Sequence, residues 1–457
     1  HFRLVPNVAV LGGFAGTETL ATDRVPGNTV VISGDLDGDD SWNGVTFEWE
    51  NRTDNVYNVF RIDYEATYDV AATILDSVTI SGGHADVTEG GENFNAFGGA
   101  IQLQGKSITI QNSTVSGNYA AIGGGAIDGG DGANIVIKNT LFDKNANLVN
   151  DVETDYSNGG AVSIRNGLIS ISDSKFTQNR SKNAGAISLT KTPATITNTD
   201  FVDNYAILRG GALRKWDDTD EFNVTISGSY FYMNSTSVDT GEYREGGAMV
   251  LSRGVITIED TDFKSNTSIN TPAFRLDMPA AGSKLSGCTF INNNAVFTEY
   301  PDNSVVELSN GELLVENCEF IENNANALRS IESTLVVELS DFIGNIGSMG
   351  AGVNSMGGPL TINNSFFDGN QATVGVDGLS TIGGALSIIG LDFETGTPYS
   401  NVPVRITNTV FVNNTAGLWG GAILNVYYPD AEFINCTFYN NADSSGNSIV
   451  HAGNLPA

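Results

Sequence analysis

The sequence predicts an all-β chain: a right-handed parallel β-helix solenoid of about 13 or more turns with inserted loops. Three observations carry this. Twelve times an apolar residue is followed three places later by Asn: Val115/Asn118, Phe142/Asn145, Phe176/Asn179, Phe201/Asn204, Phe231/Asn234, Phe263/Asn266, Phe290/Asn293, Phe320/Asn323, Phe342/Asn345, Phe367/Asn370, Phe411/Asn414 and Phe438/Asn441. The stretch before each pair alternates apolar and polar. Between pairs, Gly-Gly-Ala plus an aliphatic recurs. Such regularity marks stacked structural repeats.

Within a repeat the elements follow in order. Five residues before the Phe stands an apolar residue, such as Ile110, Ile137, Ile171, Ile258, Val315 or Ile406. Seven before it the position is mostly apolar again, with a polar residue between. That period of two is a half-buried strand. Three before the Phe, Asn or Asp dominates, as at Asn112, Asn139, Asp173, Asn198, Asp260, Asn317, Asn364, Asn408 and Asn435. These residues tolerate bends, so the strand turns a corner there. Two before the Phe comes a small residue, as at Ser113, Thr140, Ser174, Thr199, Thr261, Cys288, Cys318, Ser340 and Cys436. It shares the parity of the Phe and points inward with it.

The glycine signature appears at Gly98–Ile101, Gly124–Ile127, Gly159–Val162, Gly210–Leu213, Gly246–Met249, Gly383–Leu386 and Gly420–Ile423, with Ala184–Ile187 a near match. It predicts a tight bend and close approach of neighbouring backbones. It vanishes from 267 to 340. A chain wound this way stacks equivalent residues about 4.8 Å apart. Buried Phe then stacks on Phe, and Asn amides form a hydrogen-bonded ladder that satisfies groups otherwise buried unpaired. With a degenerate turn at Ile80–Gly83, the rod would be about 60 Å long.

The two tetrapeptides together resemble the repeats of the chlamydial polymorphic outer membrane proteins, an autotransporter adhesin family, and of other bacterial secreted β-helix proteins. The resemblance covers roughly residues 78–441. The opening Asn7–Thr19 and the stretch Ile32–Asp40 are also similar to the start of such secreted repeat proteins. The resemblance implies an extracellular or cell-surface adhesin passenger.

Residues 1–77 read as N-terminal β-helix turns with an acidic loop, and 78–457 as the repeats of one continuous solenoid. With 22 Lys plus Arg against 53 Asp plus Glu, the formal net charge is −31. That argues against nucleic acid and anionic membrane surfaces as partners. No apolar run is long enough to span a membrane. The first residues read as the middle of a strand and the last carry no polar cap. The expectation is that flanking sequence, or a second copy stacked head to tail, covers the ends. Three cysteines do not make a disulfide framework. Cys288 and Cys318 occupy one position in consecutive turns, a geometry a bridge could use. The simpler reading is that Cys is one more small residue there. Nine Asn-x-Ser/Thr sequons are about what composition alone yields.

Calcium is the strongest ligand expectation. Asp35, Asp37, Asp39 and Asp40 place carboxylates around Gly38, and a hard cation wants such oxygen ligands. The stretch departs from an EF-hand loop, with Asp40 where Gly is required and Thr46 where the bidentate Glu is required. Asp128–Asp131 is a poorer candidate. For catalysis, Asn198-Thr199-Asp200 matches a short polygalacturonase motif, yet Asn198 is the corner residue of its repeat. Asp217-Asp218 is a carboxylate pair in an acidic loop. His1, His84 and His451 are not near either. No catalytic residues are assigned.

Insertions are expected at about 146–158, 214–222, 235–245, 295–306, 371–382 and 387–402, bringing Trp216, Tyr300, Phe393 and Tyr399 to limited faces. The best reading is a non-enzymatic extracellular β-helix, an adhesin passenger or a component of a surface fibre, meeting protein or glycan on a host or neighbouring cell. The alternative is a polysaccharide-binding or polysaccharide-cleaving (pectate-lyase-like) β-helix.

Overall fold

The computed structural model describes residues 1–452 apart from 6, 26–27, 29, 45, 47, 63–71, 88–93, 148–158, 239–243, 297–302, 374–380, 391–401 and 427–430. Contacts divide the chain into two compact units, His1–Asp218 and Thr219–Ala457. Each is a right-handed parallel β-helix.

In the first unit every turn adds one strand to each of three parallel sheets. Sheet 1 runs from Phe2–Arg3 through Phe60–Ile62, Ile101–Leu103, Ile127–Gly129, Val162–Arg165 and Ile187–Thr190 to Leu213–Trp216. Sheet 2 carries the alternating strands, such as Ser107–Gln111 and Asn134–Lys138. Sheet 3 carries the short strands holding the repeat Phe, such as Leu141–Asp143 and Lys175–Thr177. The degenerate turn is real: Ile80 pairs with Val115, and Ile32 pairs with Ile80 one turn earlier. The second unit repeats the plan from Val224–Ser227, Tyr230–Tyr232 and Met249–Ser252 to Glu432–Ile434, Thr437–Tyr439 and Ile449–Ala452.

Both ladders form. Phe142, Phe176 and Phe201 stack at 4.8 and 5.1 Å between ring centroids in the first unit. In the second, Phe290, Phe320, Phe342 and Phe367 follow at 4.5, 4.9 and 4.6 Å, with planes within 3–7° of parallel. Inside the ladder an Asn makes a closed set of bonds. Asn345 Nδ2 donates to Phe320 O and to Asn370 Oδ1, both at 2.9 Å, and its Oδ1 accepts from the backbone and side chain of Asn323. Fully buried amides are thereby satisfied.

The predicted corners are left-handed: Asn112, Asn139, Asp173 and Asn198 have φ of 51, 43, 50 and 47°. A second left-handed column, two residues after the Phe, escaped the sequence reading. Asn, Asp or Gly fills it at Gly117, Asp203, Asn292, Gly344, Gly369, Asn413 and Asn440, but it also holds Lys144, Gln178, Met233, Ser265 and Glu322, residues with little intrinsic preference for that conformation. Each amide at such a corner still donates to the next rung, as Lys144 does to Thr177 and Glu322 to Ile343. Continuity of the ladder outweighs a local cost of roughly 1–2 kcal/mol.

The glycine bend has a steric cause. A Cβ on Gly350, at φ +57°, would lie 2.1 Å from Val353 O and 2.6 Å from Ser387 N. The chain there lies flat against the outward face of sheet 1. That is why outward residues such as Gln102, Asp128, Ser163 and Ser188 are buried. Where the signature is missing, strands Ser304–Ser309 and Asn326–Ile331 lengthen. Their outward row carries an alternating charge chain: Arg275 pairs with Glu245 and, at 3.5 Å, with Glu307, and Arg329 lies 3.4 Å from Glu307.

The insertion boundaries need correction. Strands extend through Asn147, Trp216, Thr236, Ala295, Ala372 and Ile389, so each insertion begins later than predicted, and the one expected at 295–306 ends before the strand Ser304–Ser309. Trp216 remains half-exposed, with the Arg214 guanidinium 5.4 Å over its ring. Tyr300, Phe393 and Tyr399 lie outside the described residues.

Candidate functional site: a polar corner groove

In the first unit, the corner between sheets 2 and 3 forms a groove of about 780 Å³. Left-handed backbone at each rung brings Asn112, Asn139, Asp173 and Asn198 into a row along it. The following small residue, Ser113, Thr140 or Ser174, is buried and leaves room for the groove floor. Leu141, Lys175 and Asp200 line the sheet-3 side, Lys175 and Asp200 being register partners on adjacent strands.

The row is tied along the axis. Asn139 Nδ2 donates to Asn112 Oδ1 at 2.9 Å, Asn112 Nδ2 to Asp76 Oδ1 at 3.0 Å, and Asn198 Nδ2 to Asp173 Oδ1 at 3.3 Å. Asp76 anchors the end. Burial opposes its ionisation, but bonds from Asn112, Arg24, Gln111 and Ser77 prevail and hold its carboxyl down at about 2. The groove therefore offers fixed amide and carboxylate groups at one-rung intervals, with Lys175 the cation among its lining residues.

The motif Asn198-Thr199-Asp200 thus has a structural place: both polar ends line the groove. The pair Asp217-Asp218 does not act as a pair. Asp217 is fully buried against Lys215 and accepts from the Lys191 amide, while Asp218 is 65 % exposed and lies 3.0 Å from Lys191 Nζ. Burial pushes the Asp217 carboxyl up, against the opposing Lys215. His84 is structural: Nδ1 lies 3.0 Å from Arg52 O, and its ring meets Tyr119 edge-on. Burial lowers its pKa.

The acidic loop lies elsewhere in the first unit. Carboxylate oxygens of Asp35, Asp39 and Asp40 come within 4.8 Å of one another. Asp37 stands outside this group, and its amide donates to Asp54 Oδ2 at 2.8 Å. Asp54, which the sequence reading missed because it lies beyond an antiparallel hairpin (Ser41–Asn43 with Glu48–Glu50), is the neighbouring acid. Desolvation first, then Asp54 and Asp35, push the Asp39 carboxyl up. Asp40 rises mainly through desolvation, against Asn55 and Arg52. Its Oδ1 is buried without a hydrogen-bond partner among the described residues. Asp128 is buried beside Arg165 at 3.5 Å, and burial raises its carboxyl; Asp131 binds Asn166 instead.

No protein-family model and no curated protein matches the chain. Among solved structures it is similar to the periplasmic alginate epimerase AlgG, with 9% identity, TM-score 0.37, and coverage of 83% of this chain and 77% of that one. It is also similar to tailspike protein 3 of bacteriophage CBA120, with 11% identity and TM-score 0.36. That match covers 94% of this chain and 62% of the tailspike chain. Likeness this remote carries no argument about activity.

Proposed function

We propose that this chain is a polysaccharide-binding parallel β-helix that acts outside the cytoplasm, at a cell surface, without cleaving its ligand. The corner groove carries the reading: several rungs present hydrogen-bonding side chains in one line, as a linear glycan requires. Recognition of a surface glycan is also how an adhesin passenger works, so the resemblance of the repeats to surface adhesins fits the same reading. Asp173, Asp200 and Lys175 are the charged groups of the lining, and product analysis tests whether the ligand is bound without being cleaved. Calcium at Asp35, Asp39 and Asp40 would brace the N-terminal turns.

The test is affinity electrophoresis and calorimetry against neutral and acidic polysaccharides, with product analysis for new chain ends. Asn139→Gly with Asp200→Ala should weaken binding at least about tenfold, Gly being used at 139 because it accepts the left-handed backbone there. Undiminished binding by that variant, or cleavage lost with it, would refute the proposal.

A further inference from the structure

The small slot before the stacked Phe has one task at most rungs. Its hydroxyl donates to the carbonyl two residues back: Ser113 to Gln111 at 2.6 Å, Thr261 to Glu259 and Ser340 to Glu338 at 2.8 Å. It also accepts the amide of the slot residue one rung earlier, as Ser340 Oγ does from Cys318 at 3.1 Å and Ser365 Oγ from Ser340 at 3.3 Å. A thiol does this less well. Cys288 Sγ lies 3.4 Å from Ile258 O and 3.5 Å from Ser286 O, and Cys318 Sγ lies 3.3 Å from Glu316 O.

Two of the three cysteines nevertheless fill this slot on successive rungs of the second unit. Ser286 is opposite Glu316 and Thr289 opposite Glu319, so Cys288 stands opposite Cys318. Their Cα atoms are then one strand spacing apart, about 4.8 Å. A disulfide spans Cα separations of about 4.4–6.8 Å. Both side chains face inward with the same parity and are 1% exposed. Each thiol shifts the other: Cys288 lowers the Cys318 pKa and Cys318 raises that of Cys288, with burial adding to the latter.

We propose that Cys288 and Cys318 form a modification site, a dithiol that closes to an inter-rung disulfide in exchange with a low-molecular-weight disulfide such as oxidised glutathione. The Cys318 thiolate attacks one sulfur of the oxidant and expels one thiolate, giving a mixed disulfide. Cys288 then loses its proton and attacks Cys318 Sγ, expelling the second thiolate. Two electrons pass from the protein thiols to the oxidant, and the two protons end on the released thiols. Because both sulfurs are buried in the finished fold, the exchange occurs while these rungs assemble. All three cysteines are free thiols in the structure; Cys436 occupies the same slot, but its preceding rung offers Thr409 and no cysteine partner.

The whole chain is refolded from denaturant in glutathione redox buffers, alkylated with N-ethylmaleimide and mapped by mass spectrometry without reduction. The expected result is one cross-linked peptide joining 288 to 318, two hydrogens lighter than the dithiol, with Cys436 alkylated. Cys318→Ser must lose the cross-link and still fold, since Ser is the usual occupant of the slot; Cys436→Ser must keep it. Alkylation of all three cysteines at every redox poise, or cross-links that engage Cys436 as often, would overturn the proposal.

Discussion

Asn370 Nδ2 donates to Asn414 Oδ1 across 3.0 Å although 44 residues of chain separate them, and the next bond down, Asn345 to Asn370, spans only 25. The ladder is indifferent to what is inserted between its rungs. Stability therefore resides in the stacked rows, and the following outcomes are expected.

Phe320→Ala should cost about 3–5 kcal/mol, because it empties a slot between Phe290 and Phe342. Asn345→Leu keeps volume but removes the side-chain donor to Phe320 O and the acceptor of the Asn323 backbone N–H and of one of its two Nδ2–H groups, the other still reaching Phe290 O. It should cost roughly 3 kcal/mol or more. Denaturant unfolding measures both, and a loss below about 1 kcal/mol for either would remove its ladder from the account of stability.

Two glycines with similar φ should respond differently. Gly369→Ala, at +64° with nothing within 4 Å, carries only left-handed strain, about 1–2 kcal/mol. Gly350→Ala adds a collision with Val353 O and Ser387 N and should cost roughly 3 kcal/mol or more. Equal melting temperatures for the two variants would contradict the steric reading of the bend.

Asp76 should give the first unit an acid limb. Its folded pKa, about 2, lies below the ordinary 3.8, so its contribution is complete above about pH 4 and fades as pH falls through 2. The contribution is up to about 2 kcal/mol. Asp76→Asn should lower stability at neutral pH and flatten the profile between pH 4 and 2. An unchanged acid limb would show that the carboxylate is not its source.

Calcium should stabilise the first unit by mass action, by about 2.7 kcal/mol at a hundredfold excess over Kd. Asp39→Asn should abolish the response, because Asp39 is one of the three converging carboxylates. Identical melting curves in chelator and in millimolar calcium would count against the site.

Much of the fold was legible because the repeat is written in side chains that have few alternatives. Phe, Asn and Gly at fixed offsets announce a stacked ring, an amide ladder and a tight left-handed bend, which Ala184 also adopts. Alternation of period two marked the strands, and Asn or Asp marked one set of corners. The second set of corners was not legible at Lys144, Met233 or Glu322, since those conformations are imposed by bonds to the next rung rather than chosen locally.

The same division holds for the sites. Sequence named Asp35, Asp37, Asp39 and Asp40 as one acidic loop, because neighbours in the chain are necessarily close. Only the tertiary structure set Asp37 apart and brought Asp54 near, because the fold of the hairpin decides which carboxylates converge. Asn112, Asn139, Asp173 and Asn198 were visible singly as bend residues. Their alignment into a groove required the rungs to stack, since residues some 25 to 34 positions apart become neighbours only when the backbone ladder fixes their register.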